Sequence, residues 1–369
     1  MQRKLYIHTI INAIKNKIYF LIIFLFSLII SCKKEQNITT ANTLELLSAK
    51  KGSNAGIYDE QGRYIILRGA NYNVLGDYWQ ANTTVATQKQ FEENDLKLMA
   101  KYGFNCIRLL FSWSKLEPQK GNYNQAYIEE IKHVIEIAAK YNIYVLLDMH
   151  QDAFSKYIAT PVNAACDKPN KGWDGAPDWA TITDGASTCT TDGSRESAPA
   201  VVHAWQNLWD NKNGIQDVCI NAWITLIKQT AKYSNIVGYD LINEPSLGYQ
   251  AINQQADKLS KFYGKLTQKI REAESEVNAS QHIIFFEMSV TWNGQPIPFI
   301  PFPNFTNDEN IIFAPHTYFE SISYIFTIEQ GYDLLKNLSK LYNTGLFIGE
   351  YGFFDEPTDD VLKLKRYAK

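Results

Sequence analysis

The chain has 369 residues, of which 45% are hydrophobic and 13% aromatic, so it can bury a large core. Lys and Arg total 36 against 39 Asp and Glu, which gives a formal net charge of −3 at pH 7. A mildly acidic chain without long basic runs argues against a nucleic-acid partner. Length alone suggests two or three domains, so the order of the predicted elements has to decide the architecture.

The N-terminal residues differ in kind from the rest of the chain. Four basic residues precede an apolar run at 18–30, which is too short to span a bilayer comfortably but is typical of a signal peptide. The ending Ile29-Ile30-Ser31-Cys32 resembles a bacterial lipobox, in which the cysteine is lipidated after cleavage. We therefore expect a lipoprotein signal peptide at 1–31, lipidation at Cys32, and an exported bacterial protein anchored in a membrane, periplasmic or at the cell surface. The alternatives are a plain signal peptide and an N-terminal anchor helix.

The residues that follow Cys32 predict a tether. Residues 33–45 are polar and lack periodicity, so we assign 32–48 to the lipidated cysteine and a polar tether, and 49–369 to the folded domain. Cleavage would remove four positive charges and no negative one, which changes the formal net charge from −3 to −7.

The remaining four cysteines divide into two pairs. Cys106 lies in an apolar strand pattern and Cys219 in a helical pattern, so both are predicted to be buried thiols. Cys166 and Cys189 lie in one loop-like region, where a disulfide could form in an oxidising compartment. None of the cysteine spacings suggests zinc.

A β-hairpin is predicted around 59–62, and after it strands and helices alternate. Apolar strand candidates occur at 64–71, 104–111, 143–150, 236–243, 282–288, 311–316 and 346–351. Helical patterns occur at 87–102, 125–141, 215–233, 253–276 and 328–341. Short strands that are apolar on both faces and alternate with helices indicate a parallel sheet covered by helices.

This alternation predicts an α/β fold of the TIM (β/α)8 type with an N-terminal β-hairpin. A doubly wound sheet is the alternative, but no glycine-rich phosphate motif follows any predicted strand. The pattern contains seven strands where a closed barrel needs eight, and it ends at Lys369 within the predicted seventh helix. Either one strand escapes the pattern or the last βα unit is missing. We expect truncation after strand 7 and part of helix 7.

Polar residues recur at the carboxyl ends of these strands, where the active sites of such barrels lie. They are Asn71, Arg108, Asp148, His150, Asn243, Glu244, Glu287, His316, Tyr318 and Glu350. One or two could be helix caps or satisfied core groups, but the whole set favours a site. Glu244 and Glu350 would face each other across the mouth, and two carboxyl groups about 5–5.5 Å apart are the arrangement for retaining glycoside hydrolysis. Like-charge repulsion would raise the pKa of one of them.

Six of these stretches together resemble glycoside hydrolase family 5, in the clan of retaining (β/α)8 enzymes. In chain order they are RGAN (68–71), NCIRL (105–109), LLDMH (146–150), INEP (242–245), APHTY (314–318) and IGEYG (348–352). The resemblance implies that Glu244 is the acid/base and Glu350 the nucleophile. It also implies that Asn243 hydrogen-bonds the sugar 2-hydroxyl and that Arg108 keeps the nucleophile ionised. The other substrate-binding residues it implies are Asn71, His150, His316 and Tyr318.

A narrower resemblance is to the endoglycoceramidase branch, whose members cut the bond between oligosaccharide and ceramide. LLDMHQDAFSKY (146–157) and GWDGAPDWATITDG (172–185) carry it. Asp152 would then contact the reacting sugar, and the alternative for it is a loop-capping aspartate. We expect neither a cofactor nor a metal, because His150 and Asp152 lack further ligands at a recognisable spacing.

Two insertions bear on the substrate. Residues 151–204 form an insertion far longer than a usual connection, and it carries Phe154, Tyr157, Trp173 and Trp179. A second insertion at 296–305 is aromatic and rich in proline. Exposed, they could receive a ceramide or touch a membrane. Equally, their aromatic rings could stack on sugars or pack onto the barrel.

We therefore expect a monomeric, retaining β-glycosidase of the endoglycoceramidase type that acts on a glycolipid or β-glycan. One alternative is an endo-β-glucanase or mannanase that acts on polysaccharide. Another is an inactive, truncated surface lipoprotein that binds glycans. The resemblance also implies an eighth strand with a subsite tryptophan and a C-terminal β-sandwich, neither of which is found before Lys369.

Overall fold

The computed structural model describes residues 44–80, 88–289, 300–353, 362–363 and 365–367. The predicted signal peptide, Cys32, most of the tether and the first residues of the second insertion lie outside this part of the chain. No helix among the described residues combines the length and the apolar composition needed to span a bilayer.

A small antiparallel sheet precedes the main sheet. Strands β1 (Ser48–Lys50) and β2 (Gly56–Tyr58) pair antiparallel. Beyond β2 the chain turns at Asp59, whose side chain accepts two backbone N–H groups, and returns so that Tyr58 bridges Tyr64. The hairpin predicted around 59–62 is therefore confirmed, as a single bridge rather than a ladder.

The folded domain begins before the predicted boundary at residue 49. Leu47, which the sequence assigns to the tether, is fully buried in a cluster that includes Ile57 and Cys106. The last residues of the predicted tether are thus part of the domain, because an apolar side chain next to β1 gains more from burial than from solvation.

Among the described residues, six parallel strands form the main sheet, and their order in the sheet follows the chain. They are β3 (Gly69–Leu75), β4 (Cys106–Ser112), β5 (Tyr144–His150), β6 (Ile236–Asp240), β7 (Ile283–Phe286) and β8 (Ile311–Phe313). Gly238 permits the close pairing of β6 and β7, since a Cβ there would lie 2.1 Å from the carbonyl oxygen of Ile283. A sequential parallel order without a reversal is that of the predicted barrel, not of the doubly wound alternative.

Residues 345–351 run beside β8 in the position predicted for the seventh barrel strand. Parallel bridges join Phe313 to Leu346 and Thr317 to Tyr351. On the other side, the Asn71 side chain donates to the carbonyl oxygen of Gly349 at 3.2 Å, so this segment also reaches β3.

The first barrel strand lies later in the chain than the predicted 64–71. The N–H of Ile65 donates to Ile57 at 2.8 Å, so the beginning of that apolar run belongs to the small N-terminal sheet, and β3 begins only at Gly69. A run of apolar residues indicates an extended chain but does not specify which neighbour it pairs with.

Helices cover the sheet and mostly match the periodicity of the sequence. They are α1 (Glu93–Lys101), α2 (Trp113–Leu116), α3 (Gln125–Lys140), α4 (Pro199–Trp209), α5 (Ile215–Thr230), α6 (Ile252–Glu276) and α7 (Ile328–Leu341). Asn124 caps α3, and Thr327 with Gln330 forms a capping box at the start of α7. Helix α4 was not predicted, because its sequence lies at the end of the long insertion.

The long insertion after β5 packs onto the barrel mainly through irregular structure. The predicted Cys166–Cys189 disulfide is confirmed, and Cys106 and Cys219 are buried free thiols as predicted.

The aromatic residues of the two insertions are only partly exposed. Phe154 packs against Trp205, and Trp179 packs against Trp113. Phe305 of the second insertion likewise packs on the barrel, against Phe286. Within the described residues of the two insertions, the exposed aromatic rings are those of Tyr157, Trp173 and Phe302.

Candidate active site

Arg108 on β4 lies buried at the centre of the strand ends. Its Nε donates to Asp240 at 2.8 Å, and its Nη1 lies 3.0 Å from Asp148. Its Nη2 donates to Asn243 and to Glu287, at 2.9 and 3.2 Å. One guanidinium thus contacts the carboxylates of Asp148, Asp240 and Glu287 through three different nitrogens, which the planar array of five N–H donors of Arg allows and a Lys ammonium does not.

Glu350 is held by two donors. Arg108 Nη1 donates to Oε1 at 2.7 Å, and the Tyr318 hydroxyl donates to Oε2 at 2.8 Å. Burial would raise the pKa of Glu350, but the charges on His316 and Arg108 outweigh it and lower the pKa to about 2. Glu350 is therefore a carboxylate at neutral pH.

Glu244 follows β6 and has a different environment. Its backbone is left-handed, with φ of 40°, and its N–H donates to Glu287 Oε2 at 3.0 Å. Its Oε1 lies 2.9 Å from His316 Nδ1. Burial raises the pKa of Glu244 to about 8, although the hydrogen bond to His316 opposes that effect. Glu244 is therefore mostly protonated at neutral pH.

The two glutamates lie close together. One oxygen of Glu244, one oxygen of Glu350 and one nitrogen of His316 lie within 4.8 Å of one another. A protonated and an ionised carboxyl group side by side can act on the two atoms of one substrate bond, the first as a proton donor and the second as a nucleophile.

Asn243 and Asn71 are fixed by the protein itself. The Asn243 amide donates to the carbonyl oxygen of Gln151 at 2.8 Å, and its oxygen accepts from Arg108. An amide nitrogen carries two hydrogens, and within the described part of the chain only one of those of Asn243 has an acceptor. Asn71 accepts from Arg108 Nη1 at 3.1 Å, which places it beside Glu350.

His150 and Asp152 form a second group at the end of β5. His150 Nδ1 lies 2.8 Å from Asp148, and its Nε2 lies 3.7 Å from Asp152. Burial lowers the pKa of His150, but Asp148 and Asp174 outweigh it and raise the pKa well above its ordinary value. The cap at this turn is Asp174, which accepts the backbone N–H of Asp152 at 2.9 Å. The Asp152 carboxylate instead faces His150.

The structure brings all the predicted strand-end residues together and adds others that sequence reasoning did not assign to the site. The added residues are Asp240, Gln151 and Asp174, whereas Asp148 and Glu287 belong to the predicted strand-end set but received no role there. Asp240 lies three residues before Asn243, and Asp174 lies in the second motif of the narrower resemblance. Burial raises the pKa of Asp174 to about 7 despite the nearby His150.

Three groups of His, Asp and Glu among the described residues have donor atoms within 4.8 Å of one another. Distance alone does not make them metal ligands. In the two groups that contain His316, and around His150, buried cationic side chains already lie among the carboxylates. We assign no metal to any of them.

Comparison with known proteins identifies the family of the chain. Residues 59–367 match the model of the cellulase family (glycosyl hydrolase family 5). The chain is 30% identical to an endoglycoceramidase of Hydra vulgaris over 296 residues, which are 72% of this chain and 54% of that protein. It is 28% identical to endoglycoceramidase I of Rhodococcus hoagii (strain 103S) over 274 residues, 71% of this chain and 51% of that protein.

Among solved structures, the chain is similar to a crystal structure of endogalactoceramidase. The TM-score is 0.84 at 34% identity, over 88% of this chain and 71% of that one. The resemblance to the endoglycoceramidase branch is thereby confirmed, although the chain spans about half the length of the curated relatives it matches. The chain belongs to the cellulase family, glycosyl hydrolase family 5.

Proposed function

We propose that this chain is a retaining β-glycosidase in which Glu350 is the nucleophile and Glu244 the general acid/base. The observation that carries the proposal is the close pair of carboxyl groups with opposite protonation. Their nearest oxygens lie within 4.8 Å, and their pKa values are about 2 for Glu350 and about 8 for Glu244. Inverting enzymes instead separate the two groups by about 6.5–9.5 Å, to leave room for a water molecule.

In the first step, a Glu350 oxygen attacks the anomeric carbon while Glu244 donates its proton to the leaving oxygen. The bond from the anomeric carbon to that oxygen breaks, and a glycosyl ester forms on Glu350. Arg108 and Tyr318, one on each carboxylate oxygen, restrict the orientation of Glu350 and thereby reduce the entropy lost on reaching the transition state.

In the second step, Glu244 accepts a proton from a water molecule, which attacks the anomeric carbon and releases Glu350. The change of role has an electrostatic basis. The negative charge of Glu350 is one of the influences that raise the pKa of Glu244, and esterification removes that charge. Glu244 can then remain ionised until it receives the proton from water.

We further propose that the substrate is a glycosphingolipid and that the bond cut joins the sugar to the ceramide. Support comes from the names of the relatives and from residues 319–327, a segment that follows β8. Four of its apolar side chains are exposed, namely Ile322 and Phe326 by 37% and 39%, and Ile325 and Tyr324 by 54% and 71%. Exposed apolar side chains at the carboxyl end of a barrel strand suit contact with a lipid.

Comparing two substrate classes tests this function. The full chain should release sugar from a glucosylceramide or a ganglioside in detergent micelles, and Glu350→Gln should lose at least about a thousandfold in kcat/KM. Activity on soluble β-glucans alone would replace the lipid substrate with a polysaccharide. Equally slow turnover by wild type and Glu350→Gln would leave only glycan binding.

We also propose that the protein is exported and anchored through Cys32. Support comes from the apolar run that ends in the lipobox-like stretch and from the Cys166–Cys189 disulfide, since disulfides persist in oxidising compartments.

A further inference from the structure

Glu287, at the end of β7, is a buried carboxylate that contacts three parts of the site at once. Its Oε2 accepts the backbone N–H of Glu244 at 3.0 Å. Its Oε1 lies 3.2 Å from Arg108 Nη2 and 3.2 Å from His316 Nε2. The side chain is only 2% exposed, so it is not itself placed to meet a substrate.

His316 is the contact through which Glu287 can influence both glutamates. On its other side, His316 Nδ1 lies 2.9 Å from Glu244 Oε1 and 3.8 Å from Glu350 Oε2. An imidazole that lies between the Glu287 carboxylate on its Nε2 side and the carboxyl oxygens of Glu244 and Glu350 on its Nδ1 side is favoured in its doubly protonated, positively charged form.

The charged or titratable groups that contact Glu287 or lie next to it come from several elements. They are Arg108 from β4, Asp240 from β6, Glu244 after β6, His316 after β8 and Tyr263 from α6. Among them, Asp240 is taken by Arg108, and the Tyr263 hydroxyl donates to the Glu287 backbone carbonyl at 3.1 Å. Glu287 Oε1 is the carboxylate oxygen within ion-pair distance of His316 Nε2, at 3.2 Å.

We propose that Glu287 is a positioning residue that holds His316 as an imidazolium between the two reacting glutamates and fixes the left-handed backbone of Glu244. The inference rests on the roles proposed above for Glu244 and Glu350. Burial lowers the pKa of His316, but Glu287 and Glu350 outweigh it and raise the pKa well above its ordinary value. The imidazolium in turn favours the ionised forms of Glu350 and of Glu244, the latter being needed in the second step.

Glu287→Gln tests the role of the charge, since it keeps the size of the side chain. His316 then loses one of its flanking carboxylates and becomes neutral more readily. Because a neutral imidazole no longer favours either carboxylate, both limbs of the pH profile of kcat/KM should move to higher pH, by about one unit. An unshifted profile with a uniformly lower rate would mean that Glu287 is merely structural.

Glu274→Gln is the matched control. Glu274 is also a buried carboxylate that pairs with a histidine and an arginine, but its partners are His282 and Arg271, away from the strand ends that carry the site. Its removal should lower the thermal stability of the protein and leave the pH profile where it is in wild type.

The protonation state of His316 can be measured without a substrate. In 15N-histidine-labelled wild type at pH 7, His316 should show two protonated ring nitrogens, with its signals assigned through His316→Gln. A neutral His316 in wild type would overturn the proposal, whether or not Glu287→Gln folds. If no β-glycoside is hydrolysed, the proposed function fails, and the comparison of the His316 signals of wild type and Glu287→Gln still decides the role of Glu287.

Discussion

Two glutamates face each other across the barrel mouth with different neighbours. Glu350 accepts from Arg108 and Tyr318, while the Glu244 carboxyl group has His316 beside it and is more fully enclosed. The same side chain is therefore ionised in one place and protonated in the other, which is how one fold provides acid and nucleophile at a single pH.

The pH dependence of hydrolysis follows from these two groups. The reaction requires protonated Glu244, so kcat/KM should fall as pH rises through about 8, where Glu244 loses its proton. It requires ionised Glu350, so activity should persist into acid and fall only as pH decreases toward about 2. Initial rates test this pH dependence, measured over the pH range in which circular dichroism shows that the protein is folded. An alkaline limb near pH 5 would contradict the assignment of Glu244 as the acid.

Glu244→Gln should affect substrates according to their leaving group. Loss of a general acid costs about 10²–10⁴-fold when the leaving oxygen needs a proton, as in a glycolipid. 2,4-Dinitrophenolate leaves without being protonated. The first step on a 2,4-dinitrophenyl β-glycoside should therefore be nearly unaffected. Burst-phase and steady-state kinetics on both substrates separate the steps, and an equal loss in the first step on both would show that Glu244 is not the proton donor.

At the scale of single residues, the sequence predicted which strand-end residues belong to the site better than it predicted which residues they pair with. Strand-end position identified Arg108, Glu244 and Glu350. It did not identify Asp240 or Asp174, because an aspartate within a buried strand or loop looks the same in sequence whether it pairs with an arginine or caps a turn.

At the scale of elements, the long insertion after β5 is tied to the site. Gln151, its first residue, donates through its amide to the backbone carbonyls of Asn243 and Glu244. Further along, the Ser155 hydroxyl donates to Ala176 at 2.7 Å, and the Cys166–Cys189 disulfide closes the outer part. The insertion therefore supports the segment that carries the general acid.

Removing the disulfide should destabilise the protein without changing its chemistry. The two cysteines are 23 residues apart, and closing a loop of that length stabilises a folded chain by about 3 kcal/mol. Cys166→Ser with Cys189→Ser should lower the free energy of unfolding in urea by roughly that amount. Wild type in reducing agent should behave like the double variant, and identical denaturation midpoints with and without the disulfide would contradict the prediction.

Helix periodicity predicted α3, α5, α6 and α7 to within a few residues, because apolar spacing and capping are local properties of the chain. The first barrel strand was placed too early, since pairing with Ile57 rather than with β4 takes Ile65 out of the sheet. Helix α4 was missed because its apolar residues follow directly on an irregular insertion.

At the scale of the whole molecule, the barrel brings distant residues together. Arg108 and Glu350 are 242 positions apart and form a hydrogen bond of 2.7 Å. The six strands follow chain order around the sheet, and Asn71 contacts the segment beside β8. The monomeric state and the membrane anchor stay predictions.

Cys32→Ser tests the anchor in an expressing bacterium. Wild type should fractionate with membranes and incorporate labelled palmitate, whereas the variant should lose the label, because only a cysteine at this position offers the thiol for lipidation. Cys219→Ala is the control, since it removes a buried thiol and should leave the label in place. Label retained by Cys32→Ser would contradict the lipobox interpretation.

The sequence by itself determined the barrel, the order of its strands and the pair of glutamates, because apolar periodicity and strand-end position are local and repeat along the chain. The tertiary structure alone decided that Glu287 reaches His316, Arg108 and the Glu244 backbone, and it alone supplied the physical reason why Glu244 rather than Glu350 keeps its proton. Protonation depends on burial and on charges brought close by folding, and no stretch of sequence contains those distances.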